Sequence, residues 1–311
     1  MSAGSDAGRP APGPLHQGAF HAGELRAHLL AGGGAPGAAI RDFMPDQHRD
    51  FFALLRFMLL GTIDSEGFPA ATVVSGPAGF VASPDPRSLR IRAAADDGDP
   101  VRRLLHAGSA VGLLGIDFGT RRRNRANGVV AALDADAMSI AVRQSFGNCP
   151  KYIRLRELDD APAEAAAAPA SASAVALHGL DAAARAAIAA AETFFVASSS
   201  GAEAGAAGGV DVSHRGGAPG FVELDGDTLT IPDYSGNRYF NTLGNLLLEP
   251  RAALLFIDFS NGDLLHLQGR TEIRWNADEA AHLPGALRLW RFHVERGWRR
   301  RQALPLRWTP V

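Results

Sequence analysis

The segment with the clearest chemical character is the hexapeptide DYSGNR at 233–238, which lies between an apolar run typical of a strand and a run with helical spacing. It supplies the hydroxyl of Ser235, the amide of Asn237 and the guanidinium of Arg238 around a flexible glycine. A phosphate dianion binds hydroxyls, guanidinium groups and the free N–H groups of a helix start. The segment therefore predicts a phosphate site, and a capped helix with solvent-exposed polar residues is the alternative. Weaker candidates on the following helix are Thr242 and Asn245.

A second candidate is the arginine-rich segment TRRRNRANG at 120–128. Because side chains alternate along a strand, Arg121, Arg123 and Arg125 are expected on one face. Three neighbouring like charges repel one another unless an anion lies among them. The pattern is compatible with contact to an anionic group and also with a solvated strand edge, and the sequence leaves both open.

Several kinds of chemistry are excluded by residue usage. All but one of the 31 basic residues are arginine, the exception being Lys151, so a P-loop is absent. A pyridoxal phosphate Schiff base would have to form on Lys151. Neither a GxSxG nor an HExxH motif occurs, and the histidines show no metal-ligand spacing. The single cysteine, Cys149, excludes an intrachain disulfide framework, and we predict no metal site.

Charge and hydropathy restrict the partners and the location. The formal net charge of −2 gives no electrostatic reason to expect a nucleic acid or an anionic membrane. The longest apolar stretch, FFALLRFMLLGTI, is interrupted by Arg56, and the first thirty residues contain no apolar core of a signal peptide. We therefore expect a soluble cytoplasmic protein that binds neither nucleic acid nor membrane.

The two halves of the chain resemble each other. Three pairs of matching positions share one offset of 141 residues: Gly79 and Gly220, Ile116 and Ile257, Gly128 and Gly269. A shared offset across fifty residues indicates an internal duplication.

Each half shows several short strands and one helix, which favours a small antiparallel barrel with added α-structure over a βαβ fold. In the second half a helix is predicted within 237–251, ended by Pro250, and Asp181 is a candidate N-cap for another. The predicted organisation is a disordered tail at 1–20, a first repeat at 21–158, an Ala/Pro-rich linker at 159–180 and a second repeat at 181–311.

Seven motifs carry a resemblance to a known family: FHAGEL, GTIDSEGFPA, GLLGIDFGTRRRNRANG, SFGNCPKYIRLR, VDVSHRGGAPGFV, IPDYSGNRYFNTLGNLLLEPRAALLFIDF and LPLRW. With these motifs the chain resembles the FMN-binding split-barrel proteins related to pyridoxamine 5′-phosphate oxidase, in their two-repeat branch. The resemblance covers residues 20–158 and 181–308. It implies a mainly β fold of tandem split barrels that form a pseudo-dimer within one chain, with FMN held where the barrels meet. A further homodimer is also compatible with it.

The resemblance also implies roles for residues of the second half. In the family, polar and basic residues at this strand–helix junction hold the flavin phosphate, which here corresponds to Ser235, Asn237 and Arg238. The flavin ring lies along the strand VDVSHRGG, which makes Ser213, His214 and Arg215 candidates for contact. A solvated loop is the alternative for His214 and Arg215.

From the first half, Arg121, Arg123 and Lys151 are expected to close the site. Within SFGNCPKYI, Asn148 is a candidate N-cap and Pro150 a first-turn residue, whereas Lys151 and Tyr152 are singled out by the family resemblance. The first-half segment that matches the phosphate junction carries Asp96, Asp97 and Asp99, which would repel phosphate. We therefore expect one flavin per chain.

The function implied is that of an FMN-dependent oxidoreductase, with NAD(P)H or a small reduced molecule as donor and an unknown substrate. No catalytic residue is identified. The alternatives are a noncatalytic protein that binds or carries flavin, haem or deazaflavin, and a barrel pair that has lost its cofactor.

Overall fold

The computed structural model describes residues 19–93, 96–159 and 173–311. Nearly all of the tail predicted at 1–20 and most of the linker predicted at 159–180 lie outside the described residues. None of the helices in the described ranges is long and apolar enough to cross a bilayer.

The first repeat is built on a seven-stranded antiparallel sheet that follows two helices, α1 (Ala22–Leu30) and α2 (Asp46–Leu54). Its strands are β1 (Phe57–Ile63), β2 (Pro69–Ser75), β3 (Val81–Ala82), β4 (Ser88–Ile91), β5 (Ala110–Asp117), β6 (Arg122–Leu133) and β7 (Met138–Gly147). They are ordered β2-β1-β5-β6-β7-β4-β3. The short strand β8 (Arg156–Leu158) follows.

The second repeat begins with β9 (Val175–Leu177) and α3 (Ala182–Ala190), whose N-cap is Asp181 as predicted. Its remaining elements are β10 (Thr193–Ser199), β11 (Val210–Gly216), β12 (Glu223–Asp225), β13 (Thr228–Tyr234), α4 (Asn241–Leu248), β14 (Arg251–Ile257), β15 (Leu264–Arg274), β16 (Ala286–Arg300) and β17 (Trp308–Pro310). The main sheet has the order β11-β10-β14-β15-β16-β13-β12, and β17 pairs with β8 of the first repeat.

The duplication is confirmed by the two sheets, because each strand of the first has a counterpart at the same place in the second. The pairing of β6 with β7 shifts at Gly128, and that of β15 with β16 shifts at Gly269. A Cβ on either glycine would lie 2.0 Å from a carbonyl oxygen, that of Ala141 or that of His293. Both bulges therefore require glycine, which explains why these positions match in the sequence.

The two barrels share a third apolar core besides the one inside each barrel. Leu59 and Ile116 of the first repeat pack in one cluster with Phe195 and Leu255 of the second. The backbones approach closely here, since a Cβ on Gly112 would lie 2.5 Å from the Val210 carbonyl oxygen. The chain thus forms the predicted pair of joined barrels, with an apolar core between them.

Three local predictions differ from the structure. The helix expected within 237–251 begins only at Asn241, because the preceding Phe240 and Arg238 have left-handed backbone angles of φ 60° and φ 61°. In the first half, the predicted helix is a single 3₁₀ turn, Arg102–Leu104. No helix follows Asn148, whose side-chain oxygen instead accepts a hydrogen bond from Asn237.

Candidate functional site

A cavity of about 290 Å³ lies between the two repeats. The first repeat contributes the side chains of β6 and of the turn after β7, whereas the second contributes β11, the end of β13, the start of α4 and the start of β16. Eight of the residues predicted from the sequence line it: Arg123, Ser213, His214, Arg215, Ser235, Asn237, Arg238 and Thr242. The tandem arrangement therefore brings together segments that are about ninety residues apart in the sequence.

The loop of residues 235–240 carries the predicted phosphate ligands, and it is held by the N-terminal segment of the chain. Nη2 of Arg238 donates to the carbonyl oxygen of Gly33 at 2.5 Å, and the amide of Ala35 donates to the carbonyl oxygen of Arg238 at 3.2 Å. Asn237 Oδ1 accepts from the amide of Tyr239 at 3.1 Å, a local bond that competes with helix formation. Ser235 and Arg238 are exposed to solvent, so both are accessible to a ligand.

His214 is buried and bonded to an arginine of the other repeat. Nη1 of Arg123 donates to Nδ1 of His214 at 2.8 Å, which leaves the ring proton on Nε2, facing the Thr193 hydroxyl at 3.4 Å. Burial, followed by the charges of Arg123 and Arg215, places the pKa of His214 well below its usual value. His214 is therefore neutral, and Arg123 is the cation at this wall of the cavity.

Arg123 is itself partly buried, and this burial lowers the pKa of its guanidinium to about 10. This still leaves it charged at neutral pH. Its second contact is with the sulfur of Cys149, 3.9 Å from Nη2. The sequence pattern thus placed Arg123 and Arg125 on the cavity face of β6, as alternation predicts, and the solvated-edge alternative does not apply to these two residues.

Arg125 is the most deeply buried of the cavity-lining arginines, at 6% exposure. Its guanidinium donates to Ser213 Oγ at 2.5 Å, to Asp211 Oδ1 at 3.2 Å and to Asn241 Oδ1 at 3.1 Å. All three acceptors belong to the second repeat. Thr242 also donates to Ser213, at 2.8 Å, so this wall of the cavity is fixed by hydrogen bonds.

Two further arginines of the cavity, Arg215 and Arg288, share the carboxylate of Asp233. Arg215 Nη1 lies 2.7 Å from Asp233 Oδ1, and Arg288 Nε lies 3.4 Å from Oδ2 of the same aspartate. Arg288 is held between the rings of Phe240 and Trp275, each 5.1 Å from its guanidinium carbon. The sequence did not predict Arg288, because a single arginine in a long strand shows no pattern. Its position at the cavity follows from the sheet, in which Arg288 of β16 is paired with Asp233 of β13.

Three predicted residues do not line the cavity. Arg121 precedes β6 with φ 54° and is exposed, so strand alternation does not extend to it. Lys151 is exposed in the turn before Tyr152. Asn245 is buried on the inner face of α4, where it bonds Asp211 and Ser198 behind the cavity wall.

In the matching region of the first repeat, two of the three predicted aspartates are paired with an arginine of the second repeat. Arg300, at the end of β16, bonds both carboxylate oxygens of Asp96 at 2.7 Å and lies 3.5 Å from Asp99. Asp99 also accepts from the Thr72 hydroxyl at 2.5 Å. The two repeats are therefore asymmetric: one presents an arginine-rich cavity, and the other holds aspartates already neutralised by the partner repeat.

The donor set of the main cavity fits an anionic ligand. Among the described residues that line it, five are arginines, namely Arg123, Arg125, Arg215, Arg238 and Arg288, and one is a carboxylate, Asp233. Four of these arginines have a buried guanidinium nitrogen without a hydrogen-bond partner in the described residues: Nε of Arg123, Arg125 and Arg215, and Nη1 of Arg288. Such an excess of donors over acceptors fits a phosphorylated flavin.

The sequence also matches a family model. The model for pyridoxamine 5′-phosphate oxidase matches the chain twice, at residues 44–173 and 180–302. None of the curated proteins matches the chain significantly.

Solved structures match the chain with low sequence identity. An FAD-binding protein from Mesorhizobium loti is 13% identical, covers 40% of this chain and 96% of its own, and gives a TM-score of 0.27. A protein of the pyridoxine phosphate oxidase family from Clostridium acetobutylicum, related to general stress protein 26, is 14% identical, with 41% and 91% covered and a TM-score of 0.27. The haem storage protein of Vibrio cholerae is 13% identical, with 39% and 93% covered and a TM-score of 0.26.

The family model covers most of the chain and does so in two consecutive copies, which coincide with the two sheets of equal strand order. The chain belongs to the pyridoxamine 5′-phosphate oxidase family and carries two repeats of its domain.

Proposed function

We propose that this chain binds FMN noncovalently in the cavity between its two repeats, one flavin per chain, and acts as an oxidoreductase. The observation that carries the proposal is the cavity wall, to which both repeats contribute arginines and which has a single lining carboxylate among the described residues. A dianionic phosphate is the ligand group that such a wall stabilises best.

The loop 235–240 is the proposed phosphate site. The Ser235 hydroxyl, the Asn237 amide and the Arg238 guanidinium are close together in the sequence and line the cavity. Arg238 would exchange its bond to the Gly33 carbonyl for bonds to phosphate oxygens, which are stronger because both partners are charged.

Arg123 is the proposed cation beside the flavin ring. His214 fixes its guanidinium from one side and stays neutral, so the positive charge on this wall does not change near neutral pH. A fixed cation stabilises negative charge that develops on a reduced ring and raises its potential. When bound, the flavin supplies the hydride and electron transfer, with NAD(P)H or a small reduced molecule as donor.

A carrier that binds a flavin or deazaflavin without turnover is the second candidate, since the same arginine-rich wall would hold either ligand. Haem is disfavoured by one observation: His214, a histidine lining the cavity, uses Nδ1 to accept from Arg123 and directs Nε2 towards Thr193. Neither nitrogen is available as an iron ligand.

Absorption spectroscopy of the purified protein tests the proposal. We expect a bound-flavin spectrum, bleaching by NADH or NADPH without oxygen, and repeated turnover when an electron acceptor is added. A flavin spectrum that neither nicotinamide nor another reduced donor bleaches would support the carrier. Protein that stays colourless and fails to bind added FMN would contradict both.

A further inference from the structure

The motif FHAGEL at 20–25 is not explained by the cavity wall, although the fold places it directly behind that wall. Helix α1 packs against α4 so closely that a Cβ on Gly23 would lie 2.2 Å from the carbonyl oxygen of Gly244. This contact buries the side chains of His21 and Glu24, which are 5% and 3% exposed. Two ionisable groups are therefore enclosed next to the cavity without being part of its surface.

These two side chains complete a closed circuit of hydrogen bonds, which we call the Arg125 ring. Arg125 donates to Asn241 and to Asp211, at 3.1 and 3.2 Å. Asn241 Nδ2 donates to Glu24 Oε1 at 2.5 Å, and Glu24 Oε2 accepts from the backbone amide of His21 at 3.0 Å. The circuit closes through Asn245, whose oxygen bonds His21 Nε2 at 2.8 Å and whose amide donates to Asp211 Oδ2 at 3.0 Å.

The ring fixes the protonation of His21. The amide of Gly23 donates to His21 Nδ1 at 3.1 Å, so the imidazole proton of His21 must lie on Nε2, facing the Asn245 oxygen. Burial also lowers the pKa of His21. The charged members of the ring are therefore Arg125, Asp211 and, when ionised, Glu24.

Glu24 is the member whose charge changes near neutral pH. Burial and then the charge of Asp211 raise its pKa to about 8, against two hydrogen bonds and the charge of Arg125, which favour the ionised form. The ionisable or charged groups facing it are His21 on its own helix, Asp211 on β11 and Arg125 on β6. With Glu24 protonated, the ring is neutral; with Glu24 ionised, the ring carries one net negative charge.

Two members of the ring, Arg125 and Asn241, line the cavity, so this charge lies directly behind the proposed flavin site. We propose that Glu24 is a positioning residue that sets the affinity of the cavity for anions, acting through Asn241 and Arg125 and taking up one proton from solvent when an anionic ligand binds. The inference rests on the proposed function in one respect, namely that FMN is the anionic ligand of the cavity. Its physical basis is that an anion in the cavity and an ionised Glu24 behind Asn241 repel each other, and both are attracted by the charge of Arg125.

The test is the pH dependence of anion binding by the full chain between pH 7 and pH 9. Over this range the FMN phosphate remains a dianion, because its second pKa is about 6. If only the form with protonated Glu24 binds well, a pKa of about 8 predicts that FMN affinity falls roughly tenfold from pH 7 to pH 9. Glu24→Gln, which keeps the size and one of the two accepting oxygens, should make the affinity independent of pH over this range.

Two control variants separate Glu24 from other groups. Glu66→Gln removes a surface carboxylate that is 65% exposed, and Cys149→Ser removes the thiol that contacts Arg123. Both should keep the wild-type pH dependence. A wild-type affinity that does not change with pH, or a Glu24→Gln protein with an unchanged pH dependence, would overturn the inference.

Sulfate titrated in parallel is a probe that does not depend on flavin chemistry, since its charge is constant over this range. If FMN fails to bind at any pH, the proposed function fails, and the sulfate titration alone decides the role of Glu24. If Glu24→Gln does not fold, calorimetry of the wild type in buffers of different ionisation enthalpy replaces it. Uptake of close to one proton at pH 9 supports the inference, and the absence of uptake refutes it.

Discussion

Arg125 of the first repeat donates to Asp211 of the second across 3.2 Å, and both side chains are almost completely buried. A single repeat would expose both groups. The pair is therefore a direct structural consequence of joining two barrels in one chain, and it lies against the cavity proposed to hold the cofactor.

Arg125→Ala should lower the free energy of unfolding by about 3–5 kcal/mol, because it leaves Asp211 as a buried charge without its counter-ion. Urea denaturation measures this. Arg121→Ala, an exposed arginine of the same segment, should unfold within about 0.5 kcal/mol of the wild type. Equal stability of the two variants would show that the Arg125–Asp211 pair does not hold the repeats together.

Arg238→Ala should weaken FMN binding roughly tenfold to a hundredfold, the range expected for losing a hydrogen bond between charged groups. The fold should be unaffected, since Arg238 is exposed and its side chain bonds only the Gly33 carbonyl among the described contacts. Flavin fluorescence titration gives the dissociation constant, and Arg26→Ala, an exposed arginine on α1, is the control. A dissociation constant of the Arg238 variant equal to that of the wild type would refute the phosphate assignment.

One FMN should bind per chain. The second-repeat site presents free donors, whereas Asp96 and Asp99 in the matching region are already paired with Arg300. Native mass spectrometry after saturation with FMN counts the flavins directly. Two flavins per chain would mean that Arg300 leaves these aspartates or that the phosphate binds elsewhere.

Gly112→Ala should destabilise the chain by about 1–3 kcal/mol, as overpacking does. The new methyl group would lie 2.5 Å from the backbone oxygen of Val210 and 2.9 Å from the Cα of Asp211 in the other repeat, so the two backbones would have to move apart. Gly119→Ala is the control, because its nearest neighbour would be 3.5 Å away. Thermal unfolding compares the two, and similar midpoints would contradict the close approach of the barrels.

Acid should destabilise the chain partly through His266. Burial lowers the pKa of His266 to about 4, so below the unfolded value of 6.5 the unfolded chain binds a proton that the folded chain does not. Stability from this group is complete above pH 6.5 and is lost as the pH falls towards 4, by up to about 3 kcal/mol.

His266→Asn keeps a donor for the Ala71 carbonyl oxygen, which His266 Nδ1 contacts at 2.9 Å, but does not titrate. Its loss of stability between pH 7 and pH 4.5, followed by chemical denaturation, should be smaller than that of the wild type. His106→Asn, an exposed histidine, should behave as the wild type does. An identical pH dependence in all three proteins would show that folding does not lower the pKa of His266.

Much of the fold was determined by the sequence because its signals are local or periodic. Alternation of apolar residues predicts strands, and matching glycines at one offset predict the duplication. Gly128 and Gly269 each meet a backbone oxygen that leaves no room for a side chain, whereas Gly79 and Gly220 have positive φ angles of 82° and 81°. Strand alternation also placed Arg123 and Arg125 on one face. These inferences do not depend on which residues of distant segments each residue contacts.

The tertiary structure alone decided which charges meet. Arg288 joins the cavity only because β16 pairs with β13, and Glu24 lies behind it only because α1 packs on α4. The loop 235–240 departs from its predicted helix because Gly33 and Ala35, some two hundred residues earlier, bond Arg238. Interactions between distant segments depend on distances that sequence spacing does not encode. The sequence therefore predicted several arginines of the cavity but not the residues that they contact.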